Sequence, residues 1–221
     1  ARARENARRA SCQSNLKHIG LGLLQYSQDY DETLVRSAYG TTDNASSATA
    51  YKWMDAIFPY VKSEQLFTCP SDSGERRIYR RQDGQNYGSY AINGAYECGA
   101  AKDNSCPGAP SGPTNSIWHG TNTALAGIQA PATTMWVSDG DSNVVNQSYR
   151  LGHWNTEVLT INTAASPRNV LGTYSSSAMP ERHLDTISVL FVDGHVKSMK
   201  LDALLKPNGA GVYSMLTIED D

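Results

Sequence analysis

Along the first thirty residues, apolar side chains return at alternating steps of four and three: Cys12, Leu16, Ile19, Leu23, Tyr26 and Tyr30. That spacing lines them up on one stripe of a helix. The segment ARARENARRASCQSNLKHIGLGLLQYSQDY contains no proline, and Gly20 and Gly22 are its only points of low helix propensity. The pattern predicts one helix over residues 1–30, whose second part packs on the rest of the chain through Leu16, Ile19, Leu23, Tyr26 and Tyr30. Ahead of Cys12 the pattern changes, and Ala1, Ala3, Ala7 and Ala10 alternate with Arg2, Arg4, Arg8 and Arg9. This start is helical by propensity but has little to bury. It either continues another element or meets a partner, or it is a solvated basic end.

After the helix the period shortens. Residues 31–50 are polar, and residues 51–62 (YKWMDAIFPYVK) read as a short helix that ends near Pro59, or as a helix followed by a turn. Strands are expected at 86–93 (NYGSYAIN) and at 133–138 (TTMWVS), the second ending at Asp139-Gly140, with shorter ones near 156–161 and 170–174. Between them, residues 97–118 form a Gly/Pro/Ser loop longer than an ordinary connection. Late in the chain, TISVLFV (186–192) and HVKSMKL (195–201) are joined by Asp193-Gly194. Two β-prone runs around Asp-Gly predict a hairpin with a type I′ turn, positive φ at both central residues, Val192 opposite His195 and Phe191 opposite Val196. One helix followed by mainly antiparallel strands and long loops is an α+β pattern, with a helix over residues 1–30 set against a β-rich head over residues 31–221.

Composition narrows the function classes. The chain has 221 residues and a formal net charge of −3, which argues against nucleic-acid or membrane-surface binding by the chain as a whole. With 39% hydrophobic residues and a mean hydropathy of −0.47 it reads as a soluble, loop-rich domain. No run approaches the ~20 apolar residues of a membrane helix. The missing initiator Met and signal peptide lead us to expect a processed or shortened chain. Cys12, Cys69, Cys98 and Cys106 include no CxxC pair, which argues against structural zinc. Their even number in a Ser/Thr/Gly-rich chain points to disulfides and an oxidising compartment, with four free thiols in a cytosolic protein as the alternative. Of the three possible connectivities, Cys98–Cys106 with Cys12–Cys69 is preferred: the first closes a short loop and the second ties the helix to the segment after it.

Candidate chemistry is sparse. His183, Asp185, Asp193 and His195 surround the last apolar run, but an extended strand rises ~3.3 Å per residue, so His183 and Asp193 would lie ~30 Å apart. His183 is therefore expected to be a hydrogen-bonded structural histidine. Asp139-Gly-Asp141-Ser-Asn143 opens like a calcium loop, yet Val144 and Arg150 stand where an EF-hand needs Gly and Glu. Residues 75–81 (ERRIYRR), followed by Tyr87 and Tyr90, mix basic and aromatic side chains as strand-gripping surfaces do, against the negative net charge. Asn44-Ala-Ser46 and Asn146-Gln-Ser148 are glycosylation sequons by pattern, and the Ser/Thr-rich loops 41–49 and 173–177 could carry O-linked sugars. No nucleophile elbow, P-loop, dinucleotide fingerprint or HExxH is present, so no enzyme is expected.

Several pieces together resemble a known family. They are the N-terminal ARARENARRASCQSNLKHIGLGLLQYSQDYDE; Trp53 with Pro59-Tyr60-Val61-Lys62; Phe67-Thr68-Cys69-Pro70-Ser71-Asp72; Ser89-Tyr90-Ala91-Ile92-Asn93; Trp136-Val137-Ser138-Asp139; and His183, nine residues, then Asp193-Gly194. In this order they resemble the bacterial type IV pilin-like proteins with a prepilin-type cleavage/methylation signal and a C-terminal H-X9-DG signature (DUF1559-like). Residues of about 95–130 and 140–180 match nothing in that pattern. The resemblance implies a pilin-like fold, a leader cut by a prepilin peptidase, and an apolar membrane helix directly upstream of Ala1. It further implies inner-membrane assembly machinery and a homopolymeric filament at the bacterial surface, either a type IV pilus or a secretion pseudopilus. Arg2, Arg4, Ala7, Arg8 and Arg9 would then contact neighbouring subunits, and the acidic tail, Glu219 to Asp221, would face basic surfaces on the next one. His183, Asp193 and Gly194 would be structural. Some pilin-like subunits hold calcium in a loop, so Asp139, Asp141 and Asn143 stay a candidate calcium site, while no cofactor is expected otherwise. The reading of a different class is a membrane-anchored surface protein that does not polymerise and binds glycan or another polymer through loops 97–130 and 140–180.

Overall fold

The computed structural model describes residues 2–39, 51–74, 77–81, 88–96, 110–114, 122–140, 150–153, 159–171 and 179–219. Helix α1, Arg2–Asp29, follows from the stripe, with Cys12, Leu16, Ile19 and Leu23 fully buried and Tyr26 nearly so. Tyr30, expected on that face, is instead 53% exposed. The helix stops just before it: Asp31 and Glu32 take positive φ, and the Glu32 amide bonds back to the Ser27 carbonyl. Tyr30 stacks on Tyr26 from outside, with ring centroids 4.3 Å apart. Gly20 and Gly22 serve close packing. A Cβ at Gly20 would lie 2.8 Å from Leu190 Cδ1, and one at Gly22 2.6 Å from Val61 Cγ1.

Strands β1 (Ala38–Tyr39) and β2 (Tyr51–Lys52) pair antiparallel and lead into α2, Trp53–Val61. The helix ends near Pro59, as expected, but runs through it to Val61. Proline lacks an N–H and would leave the Asp55 carbonyl without its helical partner. The Tyr51 hydroxyl donates to that oxygen at 2.9 Å. Lys62, left-handed, closes the end through its N–H to Phe58 O. Beneath α2, Lys52 and Asp55 form a fully buried pair 3.9 Å apart, and the buried Tyr79 hydroxyl donates to Asp55.

The main sheet combines β3 (Tyr90–Ala95), β4 (Met135–Asp139), β5 (Arg150–His153), β8 (Ile187–Phe191) and β9 (Val196–Met199) in the order β5-β3-β4-β8-β9; β6 (Thr160–Asn162) and β7 (Asn169–Leu171) form a separate pair. All pairings are antiparallel except β3 with β5, a parallel edge outside the expected pattern. Every residue of β3, β4 and β8 is buried, because both faces are covered. Leu190, Val137 and Ile92 pack with the α1–α2 core; Val189, Phe191 and Met135 pack with Leu201 and Leu204 of α3 (Leu201–Leu204), Tyr213 and Leu216.

The hairpin exists, in a different register. Leu190 faces Val196, and Phe191, not Val192, donates its amide to the His195 carbonyl, while the Gly194 amide donates to the Phe191 carbonyl. Of the Asp-Gly pair only Gly194 has positive φ (85°). The loop is therefore three residues long, Val192 to Gly194, with glycine at the left-handed position, the usual three-residue hairpin. Positive φ at two successive central residues occurs earlier, at Leu184 (52°) and Asp185 (59°), where His183 and Thr186 exchange both backbone bonds.

Candidate functional site

The richest chemistry lies under the first turns of α1. Position 5 of α1, the Cys69-to-Asp72 segment, the end of β4 and the turn before β8 converge there. The Cys12–Cys69 disulfide closes a separation of 57 residues. His183 is fully buried beside it. Its Nδ1 donates to Glu5 Oε1 at 2.9 Å, which also accepts from the Ser71 hydroxyl at 2.7 Å. Its Nε2 lies 3.4 Å from Cys69 Sγ and 3.6 Å from Asp139 Oδ2. Asp139 in turn accepts the Ser188 amide at 2.7 Å. Arg182 sits 3.8 Å from Asp139 Oδ1 and 3.3 Å from Asp72 Oδ2, and it donates to the Ser89 and Gly140 carbonyls. Burial pulls the His183 imidazolium down. The hydrogen bond and charge of Asp139, then the bond to Glu5, more than offset that, so the net shift is upward despite Arg182.

The other end of the H-X9-DG stretch also reaches α1. Lys17 Nζ donates to the Gly194 carbonyl at 2.7 Å, and a Cβ at Gly194 would lie 3.2 Å from Leu24. Asp193 accepts from the His195 amide and ring; burial raises its carboxyl, but those bonds outweigh it and the net shift is downward. His183 and Gly194 thus hold one helix at two points, with β8 between them.

Beside this cluster opens a polar cleft of about 450 Å³, lined among others by Ser71, Asp72, Glu181, Arg182 and Asp185. Buried Glu181 accepts from Arg168 at 2.7 and 3.0 Å and from the Leu201 amide at the start of α3.

Of the remaining sequence candidates, Arg2, Arg4, Ala7 and Arg8 are exposed and Arg9 half-buried. Asp139 turns its carboxylate inward to His183 and Arg182, while Asp141 and Asn143 lie outside the described residues. Cys98, Cys106, Asn44, Asn146 and the loops 41–49 and 173–177 are outside them too. Tyr79 and Tyr90 are fully buried, so neither offers a ring to a nucleic-acid base. Glu219 accepts the Ser111 amide within its own chain. The sequence reading missed Glu5, Asp72 and Arg182 as members of the cluster. The one signal for them was an acidic residue inside an otherwise basic helix start, and Asp72 two positions after Pro70.

A family model described as "Protein of unknown function (DUF1559)" matches residues 1–68. It is the family to which the motifs pointed, and the match covers α1 and α2 but stops short of Cys69, His183 and Asp193-Gly194. No curated protein and no solved structure matches the chain.

Proposed function

We propose that the chain is a structural subunit of an extracellular type IV pilus-like or pseudopilus filament, assembled through α1. The observation that supports this most is the division of that helix. From Cys12 onward one face is sealed into the core, whereas Arg2, Ala3, Arg4, Ala7, Arg8 and Ala10 stay exposed on a continuous helix. Short helices are marginal in water unless a face is packed. In this reading the exposed start packs among the helices of neighbouring subunits, and the sheet domain coats the outside. An upstream apolar helix and a prepilin peptidase site belong to the precursor, inner-membrane machinery drives assembly, and the product is displayed at the cell surface without enzymatic activity. The test is to shear native cells, pellet filaments, and identify the chain by mass spectrometry alongside cryo-electron microscopy. Ordered filaments built mainly of this chain support the reading; single copies confined to the membrane fraction overturn it.

One observation favours the second reading, an anchored surface binder of glycan or another polymer. The cleft beside Arg182 is polar, open and partly built from Ala165, Ser166, Pro167, Asn169 and Pro180, inside the stretch the family pattern does not match. Glycan-array binding by monomeric protein, lost in Arg182→Ala, would support it over filament assembly.

A further inference from the structure

A disulfide needs no histidine beside it, yet His183 closes on the Cys12–Cys69 pair and two carboxylates, Glu5 and Asp139, close on His183. The ligand atoms of Cys12, Cys69 and His183 lie within 4.8 Å of one another, and all three residues and Asp139 are fully buried. His183 Nε2 is 3.4 Å from Cys69 Sγ and 3.6 Å from Asp139 Oδ2. Tetrahedral zinc bound at ~2.3 Å to sulfur and ~2.0–2.1 Å to nitrogen or oxygen sets its ligands ~3.3–3.8 Å apart, the range these contacts occupy. On the far side of the ring, Glu5 holds Nδ1 at 2.9 Å. A carboxylate on one imidazole nitrogen, with the other facing donors, is the arrangement that orients a metal-binding histidine. Asp139 Oδ1 makes no hydrogen bond to the described residues. Two things depart from a formed metal site: Asp139 stands outside the group of three, and the sulfurs, bonded to each other, offer no thiolate, so disulfide and metal exclude one another.

We infer that, once the Cys12–Cys69 bond is reduced, the same residues form a zinc site, with Cys12 and Cys69 thiolates and His183 Nε2 as three ligands, Asp139, the carboxylate beside Nε2, turning in to supply the fourth, and Glu5 positioning His183. A dithiol reductant delivers two electrons and two protons; the S–S bond breaks, two thiols form, and the reductant leaves as its own disulfide. Zinc then displaces both thiol protons to solvent. Two thiolates and an imidazole select zinc over calcium or magnesium, so this is a different site from the calcium loop read in the sequence. The missing CxxC spacing that argued against zinc there does not apply, since the ligands come from positions 12, 69, 139 and 183 and only the fold collects them. Oxidised or metal-bound, the sulfurs tie α1 to the Cys69 segment; reduced and metal-free, hydrogen bonds such as Ser71 to Glu5 and Asn15 to the Thr68 carbonyl are left to hold it.

The test uses the 221-residue chain carrying Cys98→Ser and Cys106→Ser, so that only this pair remains. The protein is reduced with a dithiol, desalted anaerobically, loaded with Zn²⁺, dialysed, and assayed for metal by mass spectrometry, with Co²⁺ absorption and circular dichroism in parallel. Expected are one zinc per reduced chain and none per oxidised chain, thiolate-to-cobalt charge-transfer bands, and affinity about 10–100-fold lower in Glu5→Gln. Where reduction loosens the fold, added zinc restores the helical signal. A folded reduced chain that binds no zinc, an unfolded one that zinc does not rescue, or equal binding after further Cys12→Ser and Cys69→Ser changes would each overturn the inference.

Discussion

Removing the Cys12–Cys69 bond tests how α1 is held. The bond closes a loop with a sequence separation of 57. In the chain-entropy model such a loop restricts the unfolded chain by roughly 14 cal/mol/K, or about 4 kcal/mol at 25 °C. At about 2–4 °C per kcal/mol for a chain of this size, Tm should fall by about 8–16 °C. The perturbation is reduction in chelator-containing buffer, in the Cys98→Ser/Cys106→Ser background, which keeps both sulfurs in place. The assay is urea unfolding of oxidised and reduced protein, with hydrogen exchange along α1. The slope m should rise on reduction, because an uncrosslinked unfolded chain exposes more surface. Exchange should quicken first in residues 5–15, where Glu5 is the other anchor, and least around Ile19 and Leu23, which the core holds. A loss under about 1 kcal/mol with unchanged m would refute the reasoning, since the loop would then be closed in the unfolded chain without the bond.

Four further outcomes are expected. The folded His183 value lies above its ordinary one, so its contribution is complete below about pH 6.5 and is lost as pH rises through the raised value. The stability gap between wild type and His183→Gln should accordingly shrink in denaturation curves as pH rises above about 6.5 through the raised value, and a gap that widens would contradict the assigned partners. Tyr51→Phe should cost about 1 kcal/mol by removing the hydrogen bond that stands in for the Pro59 N–H at the Asp55 carbonyl, whereas a Tyr51→Phe/Pro59→Ala chain should recover it. Gly194→Ala forces a side chain to φ 85° and should destabilise by about 1–2 kcal/mol. Leu184→Asn, at an exposed left-handed position, should stabilise by up to about 1 kcal/mol, read as a higher Tm.

How far the sequence could be read depended on whether the deciding physics was local. The stripe from Cys12 to Tyr26 was legible because a helix face is set by spacing alone. Tyr30 kept the spacing but lost the helix, which ends at Asp29. The hairpin was legible from its composition, but its register was not. Asp193 accepts the His195 amide instead of adopting positive φ, which adds a residue to the loop and shifts every pair by one. Pro59 marks a helix end on propensity, and the Tyr51 hydroxyl, a contact outside the helix, lets it run on to Val61. The cluster around His183 was illegible for a stronger reason. Glu5, Cys69, Asp72, Asp139 and Arg182 are scattered over most of the chain, and strand length constrains only partners within the hairpin.

The spacing of His183 and Asp193-Gly194 takes its meaning from α1. Nine residues separate them, enough to run β8 and set one end at Glu5 and the other at Lys17. The core face and the disulfide already seat α1, and the two polar contacts, with Gly20 against Leu190 one turn beyond Lys17, fix its direction relative to the sheet. If α1 carries the assembly contacts, that direction sets how each head domain sits on a filament. The motif then acts on assembly without touching a neighbour: Lys17→Ala should leave folding nearly intact and weaken or reorder filaments, whereas Arg4→Ala would act through direct contact. Filaments of unchanged order from Lys17→Ala protein would separate the motif from assembly and leave it a purely internal clamp.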